Sequence, residues 1–304
     1  MRTAVLWIVA AILTLGAGSA FAQSCGLEVC DTAEDNAALS AVTQSQSVSD
    51  AIGTAVRGRF HSNGGYATQD GGGAASTNLA YWISAAGRSY SGDTSGYQNE
   101  GVAGIDVYLS DSTLAGAFYG YGESSREVDG FSDPTVIKAR VGGLYFAHQY
   151  ADSTILHFYA GGGTTDYSQY GTTTDGTRYM AGIDVSKTFE RAMANFVPFG
   201  KLVTAADDIG DDTVRGTTVT AGGRWEYNTP LGSTQLLPYV SVGVDYITIH
   251  PDSSLPDSTT WGPRLEAGFS GPVGPGLLAL DLHAAKADEG TSDLGGALTY
   301  SFGF

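Results

Sequence analysis

The sequence closes on Leu298-Thr-Tyr-Ser-Phe-Gly-Phe304, a stretch in which every second residue is large and apolar. Residues that alternate in this way project to opposite faces of a β-strand, so Tyr300, Phe302 and Phe304 share one face with Leu298. The residues between them are small or polar, and the sequence ends on an aromatic ring. This pattern predicts a strand whose apolar face meets something other than water.

The same alternation recurs along most of the chain. In Gly101–Leu109, Ala103 and Ile105 fall on one face and Asp106 falls on the other. Clusters of Gly, Asp, Ser, Thr and Pro separate such segments from about residue 78 onward. About twelve strands are predicted, over residues 78–88, 98–110, 113–124, 136–150, 154–164, 177–189, 193–203, 213–227, 235–248, 259–271, 276–286 and 293–304.

Two architectures use strands of this kind, a soluble sandwich and a membrane barrel. Turn clusters recur here roughly every sixteen to twenty-two residues, whereas sandwich strands turn every 8 to 12 residues and a tilted membrane strand needs about 9 to 11. Aromatic residues also recur near the segment ends, as they do in the girdles of membrane barrels. The fold class is therefore predicted as all-β, a transmembrane antiparallel β-barrel of about twelve strands, with the sandwich as the alternative. These aromatic residues are Tyr81, Trp82, Tyr119, Tyr121, Tyr145, Phe146, Tyr179, Trp225, Tyr227, Tyr246 and Trp261.

The composition fits this prediction. Charged residues make up 15% of the chain, which contains 43 glycines and 11% aromatic residues, while soluble domains average about a quarter charged. The formal net charge of −17 excludes a nucleic-acid partner, because phosphate binding needs clustered Lys and Arg.

The N-terminus fixes the expected compartment. Residues 1–22 form a predicted secretory signal, with a short positive start, an apolar core and the A-x-A cleavage site Ala20-Phe-Ala22. The apolar core is shorter than the roughly twenty residues of a membrane-spanning helix. Cys25 and Cys30 then follow closely enough to close a small disulfide ring in an oxidising compartment.

Residues 23–77 make a short N-terminal segment without room for a large exported domain. Apolar residues recur at spacings of three and four between Asp31 and Phe60, which indicates a helix. His61–Ser76 is rich in Gly, Ser and Asn and is predicted to be a flexible linker. The helix is interpreted either as a pore segment or as a short periplasmic stalk.

The segment 78–304 resembles the autotransporter β-domain. The resemblance rests on a Trp- and Gly-bearing first strand (Ala80–Arg88), a Gly-x-Asp second strand (Gly101–Asp111), a Gly-rich third strand (Leu114–Ser124) and the closing strands around Leu237–Val240 and Leu294–Phe302. It implies a twelve-stranded barrel in the outer membrane of a Gram-negative bacterium, exposed at the cell surface. Its lumen would hold one helix or an extended segment.

The resemblance also explains the aromatic C-terminus. In this family and in outer-membrane barrels generally, a last strand carrying residues such as Tyr300, Phe302 and Phe304 is the signal read by the barrel assembly machinery. The implied partners are that machinery, periplasmic chaperones, outer-membrane lipid and lipopolysaccharide. The barrel is expected to act as a translocator whose N-terminal segment plugs or threads the pore. A surface-loop adhesion barrel and a narrow porin are the alternatives.

Polar residues on the inward faces are the other candidate site. Because a wet lumen is lined by polar groups in any case, they are interpreted as solvating the interior, and no enzyme, cofactor or metal site is predicted. The sequence has no Gly-x-Ser-x-Gly elbow and no histidine pair at i and i+4. These predicted lumen residues are Asp106, His157, Arg224, Glu226, Asp245, Arg264, Glu266, Asp281 and His283.

One acidic cluster, Ala206-Asp-Asp-Ile-Gly-Asp-Asp212, lies between two predicted strands. It lacks the Asp-x-Asp-x-Asp spacing of a calcium loop. A solvated turn is therefore predicted there, with a divalent-cation site as the alternative.

Overall fold

The computed structural model describes residues 27–61, 79–128, 133–210, 212–250, 258–288 and 290–303. The signal sequence, Cys25, Phe304 and almost all of the predicted linker lie outside these residues. One helix precedes twelve strands. The elements are α1 (Leu27–His61), β1 (Leu79–Gly92), β2 (Thr94–Ser110), β3 (Thr113–Val128), β4 (Thr135–Gln149), β5 (Thr154–Gln169), β6 (Thr172–Lys187), β7 (Ala194–Ile209), β8 (Asp212–Tyr227), β9 (Leu237–His250), β10 (Ser258–Val273), β11 (Gly276–Asp288) and β12 (Thr291–Gly303).

The strands form one closed antiparallel barrel. Each strand pairs with its neighbours in sequence, and β12 pairs with β1 to complete the ring, with Tyr300 opposite Ile83. Closure leaves no unpaired edge, so the backbone hydrogen-bonding groups are satisfied between strands. The predicted barrel and its strand number are confirmed.

The outer face of the barrel is an apolar band. The rim at which β1 begins and β12 ends is called the proximal rim, and the opposite one the distal rim. From the proximal rim across most of the barrel height, the outward side chains are apolar and exposed, which is the surface that a membrane barrel presents to lipid. Large exposed members of this band are Ile83, Leu109, Tyr119, Leu144, Trp261, Leu265, Leu282, Leu294 and Leu298.

Several strands run further toward the distal rim than predicted. β5 ends at Gln169 instead of residue 164, β6 begins at Thr172 instead of residue 177, and β7 ends at Ile209 instead of residue 203. The outward residues of these extensions, such as Asp175 and Asp208, are polar and exposed. Hydrophobic alternation therefore stops where the apolar band stops, but backbone pairing continues. We call these polar strand ends the distal collar, which on β1–β6 comprises residues 88–99, 123–128, 135–140 and 164–177.

Many wall glycines lie beneath an aromatic ring of the adjacent strand. A Cβ atom on Gly104 would approach the Trp82 ring to 2.2 Å, and one on Gly116 would approach the Tyr145 ring to 2.3 Å. The rings cover backbone that has no side chain of its own, an arrangement that supports glycine within strands. The high glycine content therefore reflects packing in the wall.

The predicted helix is present as α1, which contacts strands on opposite sides of the ring. Its side chains from Asn36 to Phe60 are mostly buried, and a helix can reach opposite walls of a closed barrel only from within it. Gly122 and Gly216 make room for it, since a Cβ atom at these positions would approach Gln44 to 2.6 Å and Val42 to 2.9 Å. Within the described chain, no helix combines the length and the apolar character needed to span a membrane.

Candidate functional site

The helix α1 and the inner wall meet through layers of polar contacts. In the layer nearest the distal rim, the hydroxyl oxygens of Ser40 and Ser124 are 3.0 Å apart. Thr43 donates a hydrogen bond of 2.7 Å to Gln98. These contacts join the N-terminal half of α1 to β2 and β3.

Arg126 lies in the same distal layer. Its guanidinium carbon is 4.2 Å from the centre of the Tyr90 ring, and one amino group donates to Gln98 at 3.3 Å. The side chain is 1% exposed. Its planar cation therefore packs between the wall and α1, where a guanidinium face suits an aromatic ring.

A second arginine, Arg178, holds α1 more strongly. It forms a bidentate pair with Asp207, at 2.7 and 2.6 Å, and donates to the Gln44 amide oxygen at 2.6 Å. Tyr167 donates to the same carboxylate. Arg178 and Asp207 are 1% and 0% exposed, so this pair lies in an environment in which unpaired charge is costly.

A third arginine, Arg88, reaches α1 from β1. It pairs with Asp293 at 3.0 Å and donates to the Ser47 hydroxyl at 3.0 Å. His283 lies 3.3 Å from the same Asp293 carboxylate. Arg88 thus links β1 both to the neighbouring strand β12 and to α1.

The middle layer contains Asp50 of α1, whose carboxylate contacts cations of the barrel wall. Lys201 of β7 donates to one carboxylate oxygen, and Arg264 of β10 lies 3.9 Å from the other. Arg264 also pairs with Glu266 at 2.6 Å and with Asp245 at 3.5 Å. A single helix carboxylate is therefore held between cations from well-separated strands.

The C-terminal end of α1 is held near the proximal rim. Arg59 pairs with Asp106 at 3.0 Å, and its guanidinium lies 4.4 Å from the centre of the Tyr108 ring. Asp106 accepts a further bond of 2.9 Å from Tyr145, which in turn accepts one of 2.8 Å from Trp82. α1 therefore runs from the distal half of the barrel to the proximal rim before the chain enters β1.

The remaining predicted lumen residues also lie at this interface. His157 is 3.8 Å from Asp184 and lies beside Gly53 of α1, where an added Cβ atom would approach its ring to 3.1 Å. Arg224 lies 3.9 Å from Glu226 and 3.8 Å from Glu266. Sequence reasoning did not pair these residues with the helix.

A cavity of about 40 Å³ remains beside α1. Its lining includes Asp50 and Arg57 from the helix, and Arg224, Asp281 and His283 from the wall. In the described ranges, no three His, Cys, Asp or Glu side chains are grouped so as to hold a metal ion. The arrangement therefore suits polar binding of a helix, with space for little more than water beside it.

Comparison with known proteins places the fold. No family model and no curated protein sequence matches this chain. Among solved structures, the β-domain of the Bordetella autotransporter BrkA matches with a TM-score of 0.65 at 14% identity, over 75% of this chain and 100% of that chain. The barrel has the autotransporter β-domain fold.

Two further autotransporter structures match the same barrel. The translocator domain of NalP from Neisseria meningitidis has a TM-score of 0.56 at 13% identity, over 88% of this chain and 100% of that one. The transport unit of AIDA-I from Escherichia coli has a TM-score of 0.50 at 11% identity, over 83% and 98%. The autotransporter fold expected from the sequence is thus confirmed at the level of architecture.

One interpretation of this autotransporter-type barrel was wrong. The acidic cluster was predicted to be a solvated turn. Gly210 is a turn residue and Asp208 is exposed, but Asp207 lies within β7, is fully buried and pairs with Arg178. The inward position of Asp207 follows from strand alternation once β7 is known to reach Ile209. Arg126 was missed because it lies beyond the predicted end of its strand at residue 124. Arg88, Arg178 and Lys201 lie within predicted strands but were not among the predicted lumen residues, because their partners on α1 and on other strands carry no sequence signal.

Proposed function

We propose that the chain is a translocator-type barrel in the outer membrane of a Gram-negative bacterium, exposed at the cell surface, with α1 as the plug of its lumen. The closed barrel with an apolar outer band supports the membrane location, because strands can cross a bilayer only when every edge is paired. The autotransporter fold supports the translocator type.

The main support for a plug is the set of layered contacts between α1 and the barrel wall. Gln44 is bonded to Arg178, Asp50 to Lys201, and Arg59 to Asp106. These contacts are distributed along the helix and involve several different strands. A segment in transit would have no such residue-by-residue match, so the match favours a resting plug.

The proposed organisation keeps three parts: a signal in residues 1–22 cleaved after Ala22, a segment 23–77 that includes the plug, and a barrel in 78–304. A disulfide between Cys25 and Cys30 belongs to the same proposal. The predicted lumen residues are assigned to plug binding and lumen solvation instead of catalysis, and the protein is proposed not to be an enzyme.

The proposed partners follow from the membrane location. Lipid and lipopolysaccharide contact the outer band. Periplasmic chaperones and the barrel assembly machinery deliver the chain, with the last strand as their signal.

Residues 23–77 supply the test of the plug. We expect the full-length protein in a planar bilayer to stay closed and a variant that lacks residues 23–77 to show steady open-channel current, because removing α1 empties the lumen. A variant lacking only residues 23–35 is the control, since it retains the buried stretch Asn36–Phe60 and should stay closed.

Folding of each variant is checked by comparing its electrophoretic migration before and after heating. Steady conductance from full-length protein would contradict the plug and support a porin. Loss of cell or matrix binding on trimming the outer loops would instead support an adhesion barrel. Closed behaviour of a folded truncation would also contradict the plug.

The last strand supplies a second test. Phe302 packs 5.9 Å from Tyr81 and 5.9 Å from Tyr300, measured between ring centres. We expect Phe302→Ala to lower the amount of folded barrel in the membrane severalfold, because it removes a ring from the strand that closes the barrel. Phe269→Ala on β10 is the matched control, since it removes a partly buried Phe elsewhere in the wall. Equal assembly of the two variants would count against a terminal signal.

A further inference from the structure

A charged patch on β3 and β4 lies on the outer face of the barrel, where the distal collar meets the apolar band. Tyr121 lies directly opposite Arg140, and Glu123 directly opposite Lys138. Directly opposed residues on one face of a sheet are close neighbours, so these four side chains form one block. Lys138 and Arg140 remain 47% and 54% exposed at their side chains.

The ion pairs in this block are loose. Lys138 is 4.0 Å from Glu123, and Arg140 is 3.6 Å from Asp166 on β5. Charge-assisted hydrogen bonds are about 2.7–2.9 Å long, and exposed pairs of greater length contribute little stability. Both cations can therefore turn toward an incoming anion at small cost.

A groove lies next to the block, on the β2 side. It has a volume of about 480 Å³ and is lined by Tyr97, Asn99, Glu100, Gly101, Tyr121 and Glu123. A Cβ atom added to Gly101 would have nothing within 4 Å, so the floor of the groove is open. Two aromatic rings with an amide and a carboxylate offer both a flat apolar surface and hydroxyl-binding groups, a combination that suits a sugar ring.

The position of the patch along the barrel axis shows which part of the membrane it would contact. Just proximal to it on the same outer face, Leu144 is 70% exposed and Tyr119 is 57% exposed, and both belong to the apolar band. The patch therefore begins where the band ends. In a membrane barrel this is the level of lipid headgroups.

Resting on the membrane location proposed above, we propose that this patch binds the headgroup of a phosphorylated glycolipid in the distal leaflet. Lys138 and Arg140 contact the phosphate, for which a guanidinium offers two parallel donors and an ammonium a point charge. The groove between Tyr97 and Tyr121 takes the adjoining sugar. Glu123 accepts hydroxyl groups of that sugar when Lys138 turns to the phosphate.

The test uses the full-length protein in detergent and native mass spectrometry. The probes are a bis-phosphorylated glucosamine lipid, its dephosphorylated form and phosphatidylglycerol. We expect wild type to retain the phosphorylated glycolipid, and Lys138→Gln with Arg140→Gln to weaken binding about tenfold for each cation lost. The control is Arg215→Gln with Lys286→Gln, which removes two cations of β8 and β11 and should leave binding unchanged.

Three results would overturn the site: equal retention by the two double variants, equal retention of the dephosphorylated lipid, or equal retention of phosphatidylglycerol. Tyr121→Ala separates the groove from the charges, because it should weaken glycolipid binding while leaving phosphatidylglycerol binding unchanged. Tyr121, Lys138, Arg140 and Arg215 are exposed and Lys286 is partly exposed, so each variant is expected to fold. Electrophoretic migration that matches wild type, both before and after heating, checks this.

Discussion

Replacing Arg178 with methionine is expected to lower the free energy of unfolding by about 3–5 kcal/mol, the range for removing one partner of a buried ion pair. The substitution leaves Asp207 fully buried with Tyr167 but without its counter-ion, and it removes the donor to Gln44 of α1. Urea or guanidinium unfolding in detergent micelles, compared at equal detergent concentration, measures the change.

Two further variants make this result specific. Arg140→Met breaks an exposed pair of the same chemical type and is expected to cost no more than about 1 kcal/mol. Arg178→Met combined with Asp207→Asn should recover most of the loss, because no buried charge is then left unpaired. If Arg178→Met and Arg140→Met had the same cost, the buried pair would not be the anchor described above.

Reversing the charge of Asp50 is expected to open the barrel. In the Asp50→Lys variant, the introduced lysine would meet Lys201 and Arg264, which now bind the carboxylate. Two like charges about 4 Å apart repel by roughly 4 kcal/mol at an effective dielectric constant of 20. Full-length protein carrying this substitution should therefore show open-channel current in a planar bilayer, in which wild type stays closed.

The matched controls keep the position and alter the charge. Asp50→Asn removes the attraction without adding repulsion, so it should open the barrel much less often. Asp50→Lys with Lys201→Asp restores an opposed pair and should return the protein toward the closed state. A folded Asp50→Lys variant that conducts no more than wild type would remove Asp50 from the set of plug contacts.

The architecture could be predicted from the sequence because lipid imposes a simple rule on each strand. Alternation in segments such as Gly101–Leu109 locates a strand and its outward face without knowledge of its neighbours. The alternation of apolar and polar residues ends where the strands leave the lipid. Residues 165–169 and 172–176 pair with each other in the distal collar, but both faces there are largely polar, so no hydrophobic signal marks them.

The interior was only partly predictable for a different reason. Asp106 and Asp245 could be assigned to the lumen from alternation alone, because each lies among apolar neighbours that face outward. Their partners could not, since the pairing of Arg59 with Asp106, or of Asp50 with Lys201, depends on the rotation and depth of α1 within the ring. No periodicity in either segment encodes that placement.

In the proposed plug, α1 points from the distal half of the barrel toward the proximal rim. Thr43 lies beside Gln98 in the distal half, whereas Arg59 lies beside Tyr108 near the start of β1. With α1 as the proposed plug, a peptide tag fused ahead of Leu27 is expected at the distal face of the bilayer, whereas Arg59 of the same helix stays beside Tyr108 near the proximal rim. The same arrangement would display a short foreign epitope at the distal face while β12 stays paired with both of its neighbours in the wall.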